Sequence, residues 1–103
     1  MIADFLHAFI RSAKAASIAI EAAMSSADAG RAGALAHQLK ASAAAIGAQA
    51  LSSLCATLET SATRNDRAAQ EFAWIAVRPE ITDVVRWIEH HQREGASSHE
   101  APR

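Results

Sequence analysis

The sequence holds no tyrosine, three phenylalanines, two tryptophans, four glycines, two prolines and one cysteine in 103 residues. A β-sandwich, barrel or Rossmann unit draws heavily on aromatic and β-branched residues and on turn glycines, so this scarcity argues against all three. The lone Cys55 has no intramolecular disulfide partner. At helical spacing among leucines, it is expected to serve as a small buried hydrophobe. Neither sign of charge dominates: ten basic residues stand against eleven acidic ones, for a net charge of −1. That balance leaves no electrostatic footprint for nucleic acid or an anionic membrane. Apolar runs last only a few residues, far short of a membrane span. The opening MIADFLHAFIRSAK sets Asp4, His7 and Arg11 where a secretory signal would need an apolar core. The expected compartment is the cytoplasm.

What the chain has in quantity is alanine. Of its apolar residues 27 are alanine, which leaves 25 larger side chains for a core. Alanine is the best helix former, and small side chains let helices pack closely around a modest apolar volume. The expectation is an all-α, up-down four-helix bundle with a short or kinked additional helix segment, occupying residues 1–93. A first helix carries Ile2, Phe5, Leu6, Phe9, Ala13, Ala16, Ile20, Ala23 and Met24 at 3.6-residue spacing. Ser25, Ser26 and Asp28 then supply turn and cap chemistry. A second helix places Ala32, Leu35, Leu39, Ala43 and Ile46 on one face, and Gly47 ends it. The third turns Leu51, Leu54, Cys55, Leu58 and Ala62 inward, and the short connection makes helices two and three antiparallel neighbours. Asn65 or Asp66 caps a fourth helix, expected to bury Ala69, Phe72, Ala73 and Ala76. Pro79 then opens a fresh helix or kinks a longer one, and Ile81, Val84, Val85 and Ile88 carry the stripe to about His91. Residues 94–103 lack apolar periodicity and are expected to form a disordered tail.

One face does not fit a plain bundle. At about 100° per residue, His37 lies ~170° from the stripe centred between Leu35 and Leu39. Its neighbours there are Gly33, Lys40, Ala41 and Ala44, whereas the solvated face of the first helix carries Arg11, Lys14 and Glu21. A single imidazole thus stands among small side chains, open to another protein. Its neutral form is a nitrogen nucleophile near neutral pH. Lys40, one turn along, can pair with phosphoryl oxygens. An open surface with no second base suits a group carrier better than a hydrolase.

The run Ala36-His37-Gln38-Leu39-Lys40-Ala41-Ser42, followed by Ile46-Gly47-Ala48, Leu51, Leu54-Cys55 and Leu58-Glu59, resembles the histidine-containing phosphotransfer (HPt) domain family. The family pattern is roughly A-H-x-L-K-G-S, then L-G-A, then L-x-x-L-C-x-x-L-E. Phe5-Leu6, Phe9-Ile10 and the Asn65-Asp66 turn also fall at family positions, so the likeness spans about residues 5 to 92. The resemblance implies a four-helix bundle in a multistep two-component phosphorelay. It further implies that His37 accepts a phosphoryl group on Nε2 from a receiver-domain aspartyl phosphate and passes it to another receiver. Lys40 would support the phosphoryl group. The implied partners are response-regulator receivers, and a hybrid histidine kinase among them. Such a chain is a phosphocarrier without autonomous catalysis, needing no cofactor because the receiver brings the Mg²⁺. One departure is Ala41, where the family usually has glycine.

Gly33, Gln38, Ala41 and Ala44 are the expected partner-binding residues. Glu59 is read as a solvated flank rather than a contact of His37. His7, His90, His91 and His99 show no metal-ligand spacing. Trp74 and Trp87 fall off the inward stripes and either pack or mark a self-association surface, on a protein expected to be monomeric or weakly associating. Two other readings stay open: a receiver-binding adaptor without transfer, and the dimerisation hairpin of a sensor kinase.

Overall fold

A computed structural model describes the backbone of residues 2–100 and the side chains of residues 4–92. Four α-helices follow one another, α1 (Ile2–Ser25), α2 (Ala29–Ala45), α3 (Gln49–Thr63) and α4 (Arg67–Glu100), with no strand among the described residues. Each helix packs on its chain neighbours, and α4 closes the ring against α1, so α2 and α4 face each other across the diagonal. The core is made of Phe9, Ile20, Leu39, Leu51, Leu58, Trp74, Val77, Ile88 and the alanines between them.

The three connections share one construction. After α2, the Gly47 amide donates to the Ala44 carbonyl at 3.1 Å and the Ala48 amide to Ala43 at 2.8 Å. Gly47 itself takes φ +82, as the expected helix end requires. The same pair of bonds recurs at Ala27 and Asp28 after α1, and at Asn65 and Asp66 after α3. Ala27 (φ 59) and Asn65 (φ 55) there adopt the left-handed conformation. Asp28 and Asp66 also cap the next helix, accepting from the Arg31 and Ala69 amides at 3.1 Å each. Ala48, which starts α3, has no such side chain. A turn this short forces antiparallel neighbours and fixes their register.

Three expectations need correction. No additional segment begins at Pro79, which lies inside the continuous α4. The ring sits on the exposed side, so the amide it lacks would have paired with an Ile75 carbonyl on the solvent side of the helix, which is open to water. The backbone also stays helical through Glu100, past residue 93, where the bundle was expected to give way to a tail. Extending a nucleated helix costs no second nucleus. Residues 101–103 of that tail lie outside the described residues.

The third correction concerns the face of α4. Its buried residues are Gln70, Ala73, Trp74, Val77, Ile81, Val85 and Ile88, and Phe72 is 78% exposed. Treating Pro79 as a boundary left the two halves of the helix with independent phases. In one continuous helix the stripe Ile81-Val85-Ile88 runs back through Val77, Trp74 and Gln70. Trp74 is therefore core, its Nε1 donating to Glu21 at 2.8 Å. Trp87 stays exposed and stacks on His91, with ring centroids 3.9 Å apart.

Candidate functional site

The α2–α3 hairpin is drawn close by small residues. Gly33 is buried, and a Cβ placed on it would lie 2.7 Å from the Ala62 Cβ of α3. Nearer the turn, the Ser52 hydroxyl donates to the Lys40 carbonyl at 3.2 Å. Between these two fastenings α2 presents His37 and Lys40 toward α3.

Glu59 of α3 meets both. Its Oε2 lies 2.8 Å from His37 Nδ1, and Lys40 Nζ donates to its Oε1 at 2.8 Å. The expectation that Glu59 is a detached, solvated flank is overturned. The buried face of α2 consists of Ala32, Gly33, Ala36, Leu39 and Ala43, with Leu35 and Ile46 only half-buried. Its centre is turned toward α3, which places His37 about 115° from it rather than opposite. His37 keeps 62% of its side chain exposed while leaning on the neighbouring helix. A sequence signal for Glu59 exists: His37 and Glu59 stand ten and twelve residues from Gly47, so an antiparallel hairpin brings them level.

The electrostatics select one form of the ring. The Glu59 carboxyl is held below its ordinary range, chiefly by the hydrogen bond from Lys40 and then by His37, against a partial loss of solvation. Ionised, it only accepts hydrogen bonds. A neutral His37 in this contact therefore carries its proton on Nδ1, which leaves the lone pair on Nε2. The arrangement is a nucleophilic nitrogen with its proton pinned on the far side of the ring and an ammonium beside it.

The remaining candidates divide. Gln38, Ala41 and Ala44 are exposed around His37, as expected. Gly33 is not on the outer face: it lies under the site, where it sets how near α3 approaches. A shallow depression lined by Gly30, Ala34, His37, Gln38, Glu59 and Thr63 runs from the ring toward the start of α2. Cys55 is fully buried, and burial pushes its thiol up to about 11 despite the nearby Lys40 charge. It has no thiolate to offer near neutral pH. His7, His90 and His91 are exposed, and the side chain of His99 lies outside the described residues. Among the described residues no group of three or more His, Cys, Asp or Glu could hold a metal ion. No helix among them is long and apolar enough to cross a membrane.

An exposed histidine on the second helix of a four-helix bundle, with a lysine one turn on, is the arrangement that the resemblance implies. The family model for the Hpt domain matches residues 4–101, nearly the whole chain. The chain belongs to the Hpt domain family. Hpt domains are helical phosphorelay modules that carry a phosphoryl group on histidine and interact with receiver domains. They are phosphocarriers rather than catalysts. No curated protein and no solved structure matches the chain.

Proposed function

We propose that His37 is the phospho-accepting residue of this Hpt domain. It takes a phosphoryl group from a receiver-domain aspartyl phosphate and passes it to a second receiver, in the cytoplasm and with hybrid-kinase receivers among its partners. The observation that carries the reading is the contact of one carboxylate with both His37 Nδ1 and Lys40 Nζ. In the forward step the Nε2 lone pair attacks phosphorus, the bond from phosphorus to the aspartyl oxygen breaks, and its electron pair stays on the carboxylate. The ring, now carrying phosphorus on Nε2 and a proton on Nδ1, is an imidazolium, and Glu59 is its counter-ion. On the return step a carboxylate oxygen of the second receiver's aspartate bonds to phosphorus, the N–P bond breaks and its electron pair goes back to Nε2. The ring leaves neutral with its Nδ1 proton still in place, so solvent supplies no proton in either direction. Lys40 neutralises charge on the phosphoryl oxygens, and the Mg²⁺ is the receiver's. Such a reaction depends mainly on positioning and charge placement. Gln38, Ala41 and Ala44 form the surface on which a receiver rests.

A kinase dimerisation hairpin assembles its bundle from two chains, whereas this chain builds four helices alone, which disfavours that reading. Incubation with a phosphorylated receiver is expected to move label onto the protein as acid-labile, base-stable phosphate. His37→Gln is expected to take up none, and label uptake equal to the parent's would remove His37 from the role. Glu59→Gln keeps an acceptor for Nδ1 but loses the counter-ion of the phosphorylated ring, so uptake is expected to slow about fivefold while return to a receiver does not slow.

A further inference from the structure

The outward face of α4 is apolar over three turns. Ala68, Phe72, Ile75 and Pro79 follow one another at the spacing of a helix-packing seam, and all four are exposed. Phe72 and Ile75 are 78% and 64% exposed, so two bulky side chains stand in water on a helix whose opposite stripe already fills the core. A large apolar side chain on such a stripe marks a contact surface more often than an isolated exposed residue does.

We propose that this stripe is the contact of a symmetric, antiparallel association between two copies of the chain, α4 against α4. The sequence of the stripe is complementary to itself. A two-fold axis perpendicular to the helices and passing between Phe72 and Ile75 sets Phe72 against the partner's Ile75 and Ala68 against the partner's Pro79. The same axis preserves the flank, so the edge bearing Glu71 and Arg78 meets its own copy running the other way. Glu71 then comes within reach of the partner's Arg78, and Arg78 of the partner's Glu71. Both side chains are half exposed, 52% for Glu71 and 58% for Arg78. Their present pairs, Arg67–Glu71 at 2.9 Å and Arg78–Glu21 at 3.3 Å, are surface pairs that exchange at little cost.

The size of the patch sets the strength. Three turns of one helix bury well under the ~1,000 Å² that a lasting interface needs, so the association is weak, with a dissociation constant on the order of 0.1–1 mM. Its position fixes the consequence. Because α4 lies diagonally across the bundle from α2, the pair would hold two His37 surfaces outward on opposite sides, both open to receivers.

Sedimentation equilibrium of the full chain from about 10 μM to about 1 mM tests this. The parent is expected to rise from monomer toward dimer mass across that range, and Phe72→Lys to remain monomeric. Glu71→Arg and Arg78→Glu should each weaken association several-fold by placing like charges opposite one another, and the double variant should restore it. Far-UV circular dichroism and a thermal midpoint confirm that each exposed-site variant is folded. A parent that stays at monomer mass at the highest concentration overturns the proposal. So does a Phe72→Lys protein that associates like the parent. A double swap no stronger than either single change overturns the antiparallel register. None of these readings depends on whether His37 accepts phosphate.

Discussion

The outer faces of α2 and α4 are both solvent-facing, lie diagonally opposite each other, and are built by opposite means. On α2 the exposed positions Gly30, Ala34, Ala41, Ala44 and Ala45 carry almost no side chain, and His37 and Gln38 rise from a bare backbone. On α4 the exposed stripe carries Phe72, Ile75 and Pro79, bulky and uncharged, with Glu71 and Arg78 on its flank. A bare face lets a partner's backbone come close to one reactive group, which favours chemistry at a point. A bulky apolar face offers area without chemistry, which favours adhesion. Hydropathy alone does not separate the two, since alanine and isoleucine both count as apolar. Side-chain volume and the identity of the one titratable group separate them.

The contrast is greatest within α4, where the two sides of one helix are expected to differ most in their response to truncation. Trp74→Ala removes a core ring and its bond to Glu21 and is expected to cost about 3–5 kcal/mol, whereas Phe72→Ala is expected to stay within ~0.5 kcal/mol. Urea unfolding of the two variants at low protein concentration measures both. Equal losses would mean that Phe72 is part of the fold and not of a spare surface.

On α2 the test is Gly33→Ala. Overpacking against Ala62 costs about 1–3 kcal/mol, and the gain in helix propensity returns ~1 kcal/mol, so a net loss near 1 kcal/mol is expected. Adding Ala62→Gly should recover stability relative to Gly33→Ala if the close approach is the cause. A Gly33→Ala protein more stable than the parent would show that α3 can move away freely.

The smallest effect concerns the pair of bonds at Glu59. Its folded carboxyl titrates below the ordinary value of 4.5, with Lys40 as the first cause. A depressed carboxyl contributes its stabilisation fully above the unfolded value and loses it as the pH falls through the folded one. The thermal midpoint of the parent should therefore drop more steeply than that of Glu59→Gln from about pH 5 to about pH 3. Parallel curves would mean that the carboxylate does not hold His37 and Lys40 in solution.

Much of this was legible in the chain. The helix count, the Gly47 end of α2 and the Asp28 and Asp66 caps follow from local chemistry that tertiary packing rarely overrides. His37 and Lys40 stood out because their neighbours are small. The misreadings have physical causes. Alanine looks the same inside and outside, so a wheel of α2 centres on Leu35 and Leu39 and sets the buried Gly33 on the outer face. Glu59 lies on the flank of its own helix's stripe, but its environment is set by the hairpin. A large apolar residue near an alanine stripe is usually core, which is how Phe72 reads, and the phase that corrects it runs through Pro79.

The three-residue connection between α2 and α3 behaves as a gear with a fixed tooth count. His37 and Glu59 are 22 positions apart, and that interval alone decides whether they mesh. One residue added to the helix between His37 and Gly47, or between Ala48 and Glu59, turns the far partner by about 100° and lifts it ~1.5 Å. A chain with such an insertion would keep every letter of the histidine–lysine motif while its carboxylate pointed elsewhere. Among related sequences, then, the interval to the acid sorts proteins with a pinned imidazole from those with a free one, and the residues around the histidine do not.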